Sequence, residues 1–395
     1  MAKRLAVPSK ETQLHIVGPR DVFKASRVQR LSLGTDIPVT VVDELGNRLH
    51  VGDTKDTPNV TLSFSAFDTS IKIFAAMTGT NPASYPSSGV DIAELGQIDA
   101  ILFTKDATSE DYVKSGHAGQ LQIRDFTFSY TVDGESTEDY TAIGSKRRWF
   151  KNDVVAEKPA GSGTSWTLSY TPIQLKNSNW VLSVIADGAY LLEVDAAPEA
   201  GEYSVSGTAI TLGASATLVL AVYHAIPGTL GWTDIDDDTI PAAIRGKDVN
   251  VQIIANDIPR IQSVTLNGNL NTQPVKELGN REIAGYQRQI PTIDGTLTVL
   301  DTDTDLISLL TEGVIGSGSE WQPGEGCVTE DLSLTIELMD PCETVAPYTV
   351  LKTIYLPSIS IVGDSYTQNV NNNAQVVFNF KSLDAQCIIY SGAIL

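Results

Sequence analysis

A stretch of 22 residues occurs twice in this chain, in one gapless register. Arg27–Arg48 aligns with Arg260–Arg281, 233 residues later, and nine positions are identical: Arg27, Gln29, Leu33, Val42 and the pentapeptide Glu44-Leu45-Gly46-Asn47-Arg48 with their counterparts. A repeat this long constrains the chain to fold as two copies of one unit. The likeness continues more loosely. Thr61-Leu-Ser-Phe64 aligns with Thr296-Leu-Thr-Val299, and Gly18-Pro-Arg-Asp-Val22 echoes Gly246-Lys-Asp-Val249. Downstream of each copy, Ile71/Phe74/Ala75 and Leu306/Leu309/Leu310 form helical stripes, over 69–77 and 303–311, that stop at Gly79 and Gly313.

The rest of each copy alternates in steps of two, as half-buried strands do. Leu332, Leu334, Ile336 and Leu338 keep one phase; Ile354–Ile361 and Val376–Phe380 read the same way. Leu121 and Ile123 change phase to Phe126, Phe128, Tyr130 and Val132 across Arg124-Asp125, which predicts a β-bulge there. Between the copies, 157–228 opens on the Gly/Ser run Pro159–Thr164, read as flexible, and continues in short strands suited to a small sandwich. An acidic stretch, Asp234–Asp238, links it to the second copy. The expected division is 1–156, 157–228 and 229–395.

Chemistry-bearing motifs are few. Asp301, Asp303, Asp305 and Glu312 have EF-hand spacing, but Leu306 stands where that loop needs Gly, so the acids are read as helix caps. His15, His50, His117 and His224 lack metal-ligand spacing, and no phosphate loop or nucleophile elbow is present. No cofactor or metal site and no catalytic residue is assigned. Cys327, Cys342 and Cys387 are expected to be reduced and buried. Lys146-Arg-Arg-Trp149 is the one dense basic cluster, read as a surface or interface contact. The 48 acidic against 27 basic residues argue against a nucleic-acid-gripping surface. The acids concentrate late: 1–156 has 17 basic and 20 acidic residues, 157–228 has 2 and 6, and 229–395 has 8 and 22. No apolar run approaches the roughly 18 residues of a membrane-spanning helix, so no membrane insertion is expected. The N-terminal segment shows no secretory signal.

The repeated pentapeptide lies between two expected strands. Gly and Asn suit a turn, whereas Glu, Leu and Arg are not needed for one. Glu44, Leu45, Asn47, Arg48, Glu277, Leu278, Asn280 and Arg281 are therefore the candidate interface residues.

The order strand, long hairpin with ELGNR, strand, short helix, with Ala243-Ile-Arg-Gly-Lys-Asp248 entering the second copy, resembles the major tail tube proteins of long-tailed bacteriophages. The resemblance covers both copies, and the duplication resembles the type that fuses two tube domains and adds an Ig-like one. It implies a mainly β chain with two homologous tube domains, each a β-sandwich or barrel former with one short helix, plus an inserted small Ig-like sandwich. It further implies homotrimeric rings of pseudo-sixfold symmetry, sheets joined edge to edge, and stacking through the loops around 34–57 and 267–291. The helices would pack outside. Tape measure, terminator and tip proteins would be partners in a virion tail assembled in the host cytoplasm, and genomic DNA would pass an acidic lumen without specific binding. The alternatives weighed are another virion β-protein (decoration, baseplate or adhesin subunit) and a carbohydrate-binding or glycan-hydrolysing protein using Trp166, Trp180 and Tyr190.

Overall fold

The computed structural model describes residues 12–394 except 46–47, 49, 68–70, 81–84, 106–111, 152–153, 226–243, 254–255, 258–259, 279–281, 301–331, 344–346 and 369–372. The chain is mainly β, with one α-helix among the described residues. In the first third, β1 (Thr12–Val17), β2 (Val22–Lys24), β3 (Val28–Asp36), the hairpin β4 (Val39–Val42) and β5 (Gly52–Lys55), and β6 (Asn59–Ala66) precede α1 (Ile71–Thr78). Then come β7 (Val90–Asp91), β8 (Gln97–Lys105), the long β9 (Tyr112–Thr131), β10 (Thr137–Gly144) and β11 (Lys146–Phe150). The middle holds β12 (Val154–Glu157), β13 (Ala160–Thr167), β14 (Ser183–Ala186), β15 (Ala189–Tyr190), β16 (Leu192–Glu193), β17 (Glu202–Ser206), β18 (Ala209–Ala216) and β19 (Val219–His224). The last part holds β20 (Val249–Ile253), β21 (Asn256–Asp257), β22 (Ile261–Asn269), the hairpin β23 (Thr272–Val275) and β24 (Gly285–Arg288), and β25 (Thr292–Leu300). It closes with β26 (Leu332–Met339), β27 (Val350–Thr367), β28 (Gln375–Ser382) and β29 (Ile388–Ser391).

Strand pairing reproduces the repeat element by element. β3 pairs with β6, β6 with β10 and β10 with β9; likewise β22 pairs with β25, β25 with β28 and β28 with β27. β1–β8–β9–β11 recurs as β20–β26–β27–β29. The bulge read at Arg124-Asp125 is present: Ala142 faces Ile123 and Thr141 faces Asp125. The second copy bulges at the matching place, between Ile361 and Gly363.

Two looser alignments are corrected. Opposite Gly34 stands Thr61, and opposite the matching Asn267 stands Asp294, so the 233-residue spacing runs on through β6 and β25. Aligning Thr61 with Thr296 is two residues out. Alternation repeats every second residue, so a slip of two preserves the inward and outward pattern and only pairing exposes it. The Gly18 and Gly246 echoes are also not equivalent, since Gly18 leaves β1 whereas Gly246 opens the one-turn helix before β20.

Helix α1 buries Ile73, Phe74 and Met77 in the main core and ends at Gly79, whose φ of 75° is a left-handed stop. The helix expected at 303–311, the EF-hand-like acids, Cys327 and the linker Asp234–Asp238 lie outside the described residues. Among the described residues no helix is long and apolar enough to cross a membrane.

The middle segment forms two four-stranded sheets, β12-β19-β14-β15 and β13-β18-β17-β16. They share a core of Trp166, Val184, Tyr203, Ile210, Leu212, Val219 and Tyr223. The run read as a flexible linker is in strand β13, held by Gly163 opposite Ala216 and by the Trp166 indole bonding the Gly163 carbonyl. This sandwich docks on the first copy: Val154, Ile185, Leu220 and Val222 pack on Val17, Val22, Ile101 and Phe103. The docking strand differs between the copies. From Ala100 to Phe103 β8 is apolar on both faces, whereas its counterpart β26 turns Ser333, Thr335 and Glu337 outward. A polar outer face offers an apolar sheet nothing to bury.

Candidate functional site: open sheet edges and hairpin arms

The two copies join inside the chain by strand pairing. β22 lies antiparallel to the C-terminal half of β9, from Ser263 opposite Thr131 to Asn269 opposite Asp125. Phe126, Phe128, Tyr130, Val264 and Leu266 are buried there. The outer strands of the row are the counterparts of these two. Among the described residues β3 pairs only with β6, and Gly363–Thr367 of β27 only with β28. The row thus ends in the same two edges that meet at its centre. Tyr366 occupies the place of Phe128 and is 57 % exposed, where Phe128 is 0 %. Unpaired edges with apolar side chains are ready templates for another strand.

The repeated Arg and Gln serve the backbone. Arg27 and Arg260 have φ of 51° and 64°, each just before a bulge, at Val28/Arg30 and Ile261/Ser263. The Arg27 carbonyl accepts from the Phe67 N–H at 3.1 Å, and that of Arg260 from Leu300 N–H at 3.1 Å. The Gln29 and Gln262 amides donate to the same carbonyls at 3.1 and 3.3 Å. Leu266 is wholly buried and Leu33 packs partly on the same core.

The pentapeptide is different. Glu44 and Leu45, and Glu277 and Leu278, sit at the tips of the arms β4–β5 and β23–β24 and are exposed, both leucines fully. Arg48 is exposed too, while Asn47, Asn280 and Arg281 lie outside the described residues. Val39, Val41, Val42, Val51 and Val275 on the same arms are also exposed. The second arm leans on the first copy: Lys276 pairs with Asp56 at 2.8 Å, Lys146 with Glu282 at 2.9 Å, and Thr272 Oγ1 donates to the Ile123 carbonyl. The bond from Lys276 holds the exposed Asp56 carboxyl below its ordinary value. In Lys146–Trp149, now strand β11, Arg147 also bonds Thr35, and Lys114 lies 3.7 Å over the Trp149 ring.

Two buried polar clusters were not found from sequence. Glu138 on β10 accepts from Lys352 on β27 at 2.5 Å and from the Tyr140 hydroxyl at 2.8 Å, with Lys352 stacked over Phe128. This fully buried ion pair ties one copy to the other. A signal existed: Lys352 shares the inward phase of Ile354 and Leu356. The second cluster fixes the sandwich to the first copy. Asp99 accepts from His117 Nε2 at 2.9 Å, Tyr190 hydroxyl and Gln120 N–H at 2.8 Å, and Ser183 hydroxyl. Burial acts to raise the Asp99 carboxyl, but these bonds outweigh it and hold it below its ordinary value. Of the aromatics weighed for sugar stacking, Trp166 is core, Tyr190 bonds Asp99 and Trp180 is half-exposed. Among the described residues no group of three or more His, Cys, Asp or Glu is placed to hold a metal. Cys387 is buried and its thiol pushed up by burial; Cys342 is exposed, because it sits in the turn after β26.

Acid sensitivity follows. Burial, with Lys24 nearby, lowers His15 to about 3 from 6.5, so between these values the unfolded chain binds a proton that the folded one does not. Stability is expected to fall as pH drops from about 6.5, and further below about 4 as Asp99 is forced to protonate. Melting midpoints against pH should show this decline, and His15→Gln should flatten its upper part.

The fold defines a duplicated, mainly β chain whose two outer strands each pair on one side only among the described residues. No family model matches the sequence, and no curated protein resembles it significantly.

Proposed function

We propose that this is a structural, self-assembling virion protein that builds the tail tube of a long-tailed phage. The observation carrying the reading is the β9–β22 junction. It is a worked example, inside one chain, of how β3 of one chain would meet β27 of the next. Repeating that step places Leu31 opposite Gln368, Leu33 opposite Tyr366 and Asp36 opposite Gly363. A head-to-tail step that closes gives a ring, and closure removes the open edges. Three chains would supply six copies and a pseudo-sixfold ring. Exposed apolar arms suit stacking of ring on ring, since patches of this kind mark interaction surfaces. The excess of acids, 22 in 229–395 against 8 bases, suits a conduit that DNA slides through without sticking. On this reading 1–156 and 229–395 are the tube domains, 157–228 is the Ig-like insert, the chain's place is the virion tail, and no chemistry is performed.

The test is the concentrated full-length chain. Negative-stain microscopy should show rings or striated tubes of uniform diameter, and light scattering a species of three 42.4 kDa chains. A monomer at every concentration would sink the reading. Stacking and ring closure should separate: Leu45→Asp with Leu278→Asp is expected to leave trimers intact and abolish tubes.

A further inference from the structure

The root of the second arm is part of the internal junction. Just past β22, the Leu270 N–H donates to the Arg124 carbonyl at 2.7 Å, which carries the β9–β22 pairing one step beyond Asn269 and Asp125. Leu270 is 1 % exposed and belongs to the main core. Two positions on, the buried Thr272 bonds the Ile123 carbonyl, and the Ile283 N–H donates to Ser145 Oγ at 3.2 Å. The root is thus seated on Ile123, Arg124 and Ser145 of the first copy.

The first arm has the same root, but there it is exposed. The 233-residue spacing matches Leu270 with Ile37 and Thr272 with Val39. Ile37 is 47 % exposed, and Val39 is exposed as well. The seat recurs on the second copy. Ala142 faces Ile123 as Phe380 faces Ile361, so Arg124 corresponds to Val362 and Ser145 to Leu383. Both of these apolar residues are exposed. The differences run one way: Thr272, Arg124 and Ser145 are polar, whereas Val39, Val362 and Leu383 are apolar. The ions change in step. Lys276 pairs with Asp56 beside the internal seat, whereas the counterparts Asp43 and Gln289 cannot form an ion pair, and Asp43 bonds His50 within its own arm.

We infer that Val362 and Leu383 are the seat for the root of the first arm, Ile37 and Val39, of a second copy of this chain. The inference rests on the ring reading and extends the internal junction, since the register that sets Asp36 opposite Gly363 brings Ile37 opposite Val362. The chemistry fits the partner. The internal root is tethered to its seat by the chain, so polar contacts suffice there. Two separate chains give up translational and rotational freedom when they meet, and an apolar seat offsets that loss by the surface it removes from water. Four exposed apolar side chains brought to one corner form such a surface, as single scattered ones do not. The arm tips, Leu45 and Leu278, lie outside this contact and stay available for stacking.

The test uses full-length chains carrying Cys327→Ser and Cys342→Ser. One adds Ile37→Cys and the other Val362→Cys. Treating the mixture with a short bis-maleimide is expected to give a covalent dimer that neither chain gives alone. Ile37→Asp should raise the concentration needed for assembly about tenfold, because it puts a carboxylate in the place that Leu270 fills at the internal junction, with the melting midpoint of dilute protein unchanged. Rings or tubes that form with no 37–362 cross-link, or that form as readily with Ile37→Asp, would overturn the seat and leave the ring reading standing. Absence of any oligomer of the parent chain would overturn both.

Discussion

Tyr366→Lys is expected to leave the chain folded and to stop it closing into rings. Tyr366 is 57 % exposed and its neighbours on β27 from Asp364 to Thr367 are exposed as well, so the monomer loses little. Its counterpart Phe128 shows what the side chain does once the edge is filled, for there Leu266 lies directly across and both are wholly buried. Burying a lysine in that place against Leu33 of the next chain is penalised twice, by lost apolar contact and by desolvation of the ammonium. An aromatic anchor at the centre of an interface contributes about 2 kcal/mol or more, a ~30-fold weakening at each junction. Sedimentation across a concentration series would read it. The control is Leu192→Lys, equally exposed but on the inserted sandwich, which should assemble normally. A Tyr366→Lys chain that forms tubes like the parent would show that this edge is not the one that closes.

Lys352→Ala should be the most damaging single change to the fold. It leaves Glu138 without its cation at a place where neither partner is exposed to solvent, with only tyrosine hydroxyls beside it. Removing one member of a buried pair costs about 3–5 kcal/mol, mostly the penalty of the charge left behind. Replacing both, Lys352→Met with Glu138→Gln, should recover most of that, because a neutral pair has no charge to strand. Denaturant unfolding of the two variants separates the cases. A loss below about 1 kcal/mol in Lys352→Ala would show that the pair does not hold the fold together. The pair joins β10 of one copy to β27 of the other, so its loss should also loosen the junction.

Much of the architecture was legible because two copies check each other. Arg27, Gln29 and Leu33 recur with Arg260, Gln262 and Leu266, and the structure shows why: a left-handed residue, its carbonyl clamp and a core-facing side chain. The phase slip at Arg124-Asp125 marked a bulge because an extra residue inverts alternation. The arms were visible as a loop motif with more side-chain chemistry than a turn requires. By contrast Asp99 looked like one carboxylate among many. Nothing local ties it to His117, Ser183 and Tyr190, which arrive from β9, β14 and β15.

The sequence by itself determined the duplicated β unit, the bulge and the arms, since these depend on neighbours a few residues apart or on comparison of two like segments. Only the tertiary structure decided the register of the looser half of the repeat, the burial of Glu138 with Lys352, and the docking of the sandwich on one copy alone. Among the described residues it also decided which edges are spent inside the chain and which stay unpaired. Alternation fixes which way a side chain faces; which strand comes to lie beside it, however, is settled by contacts across the whole chain, where the core has room.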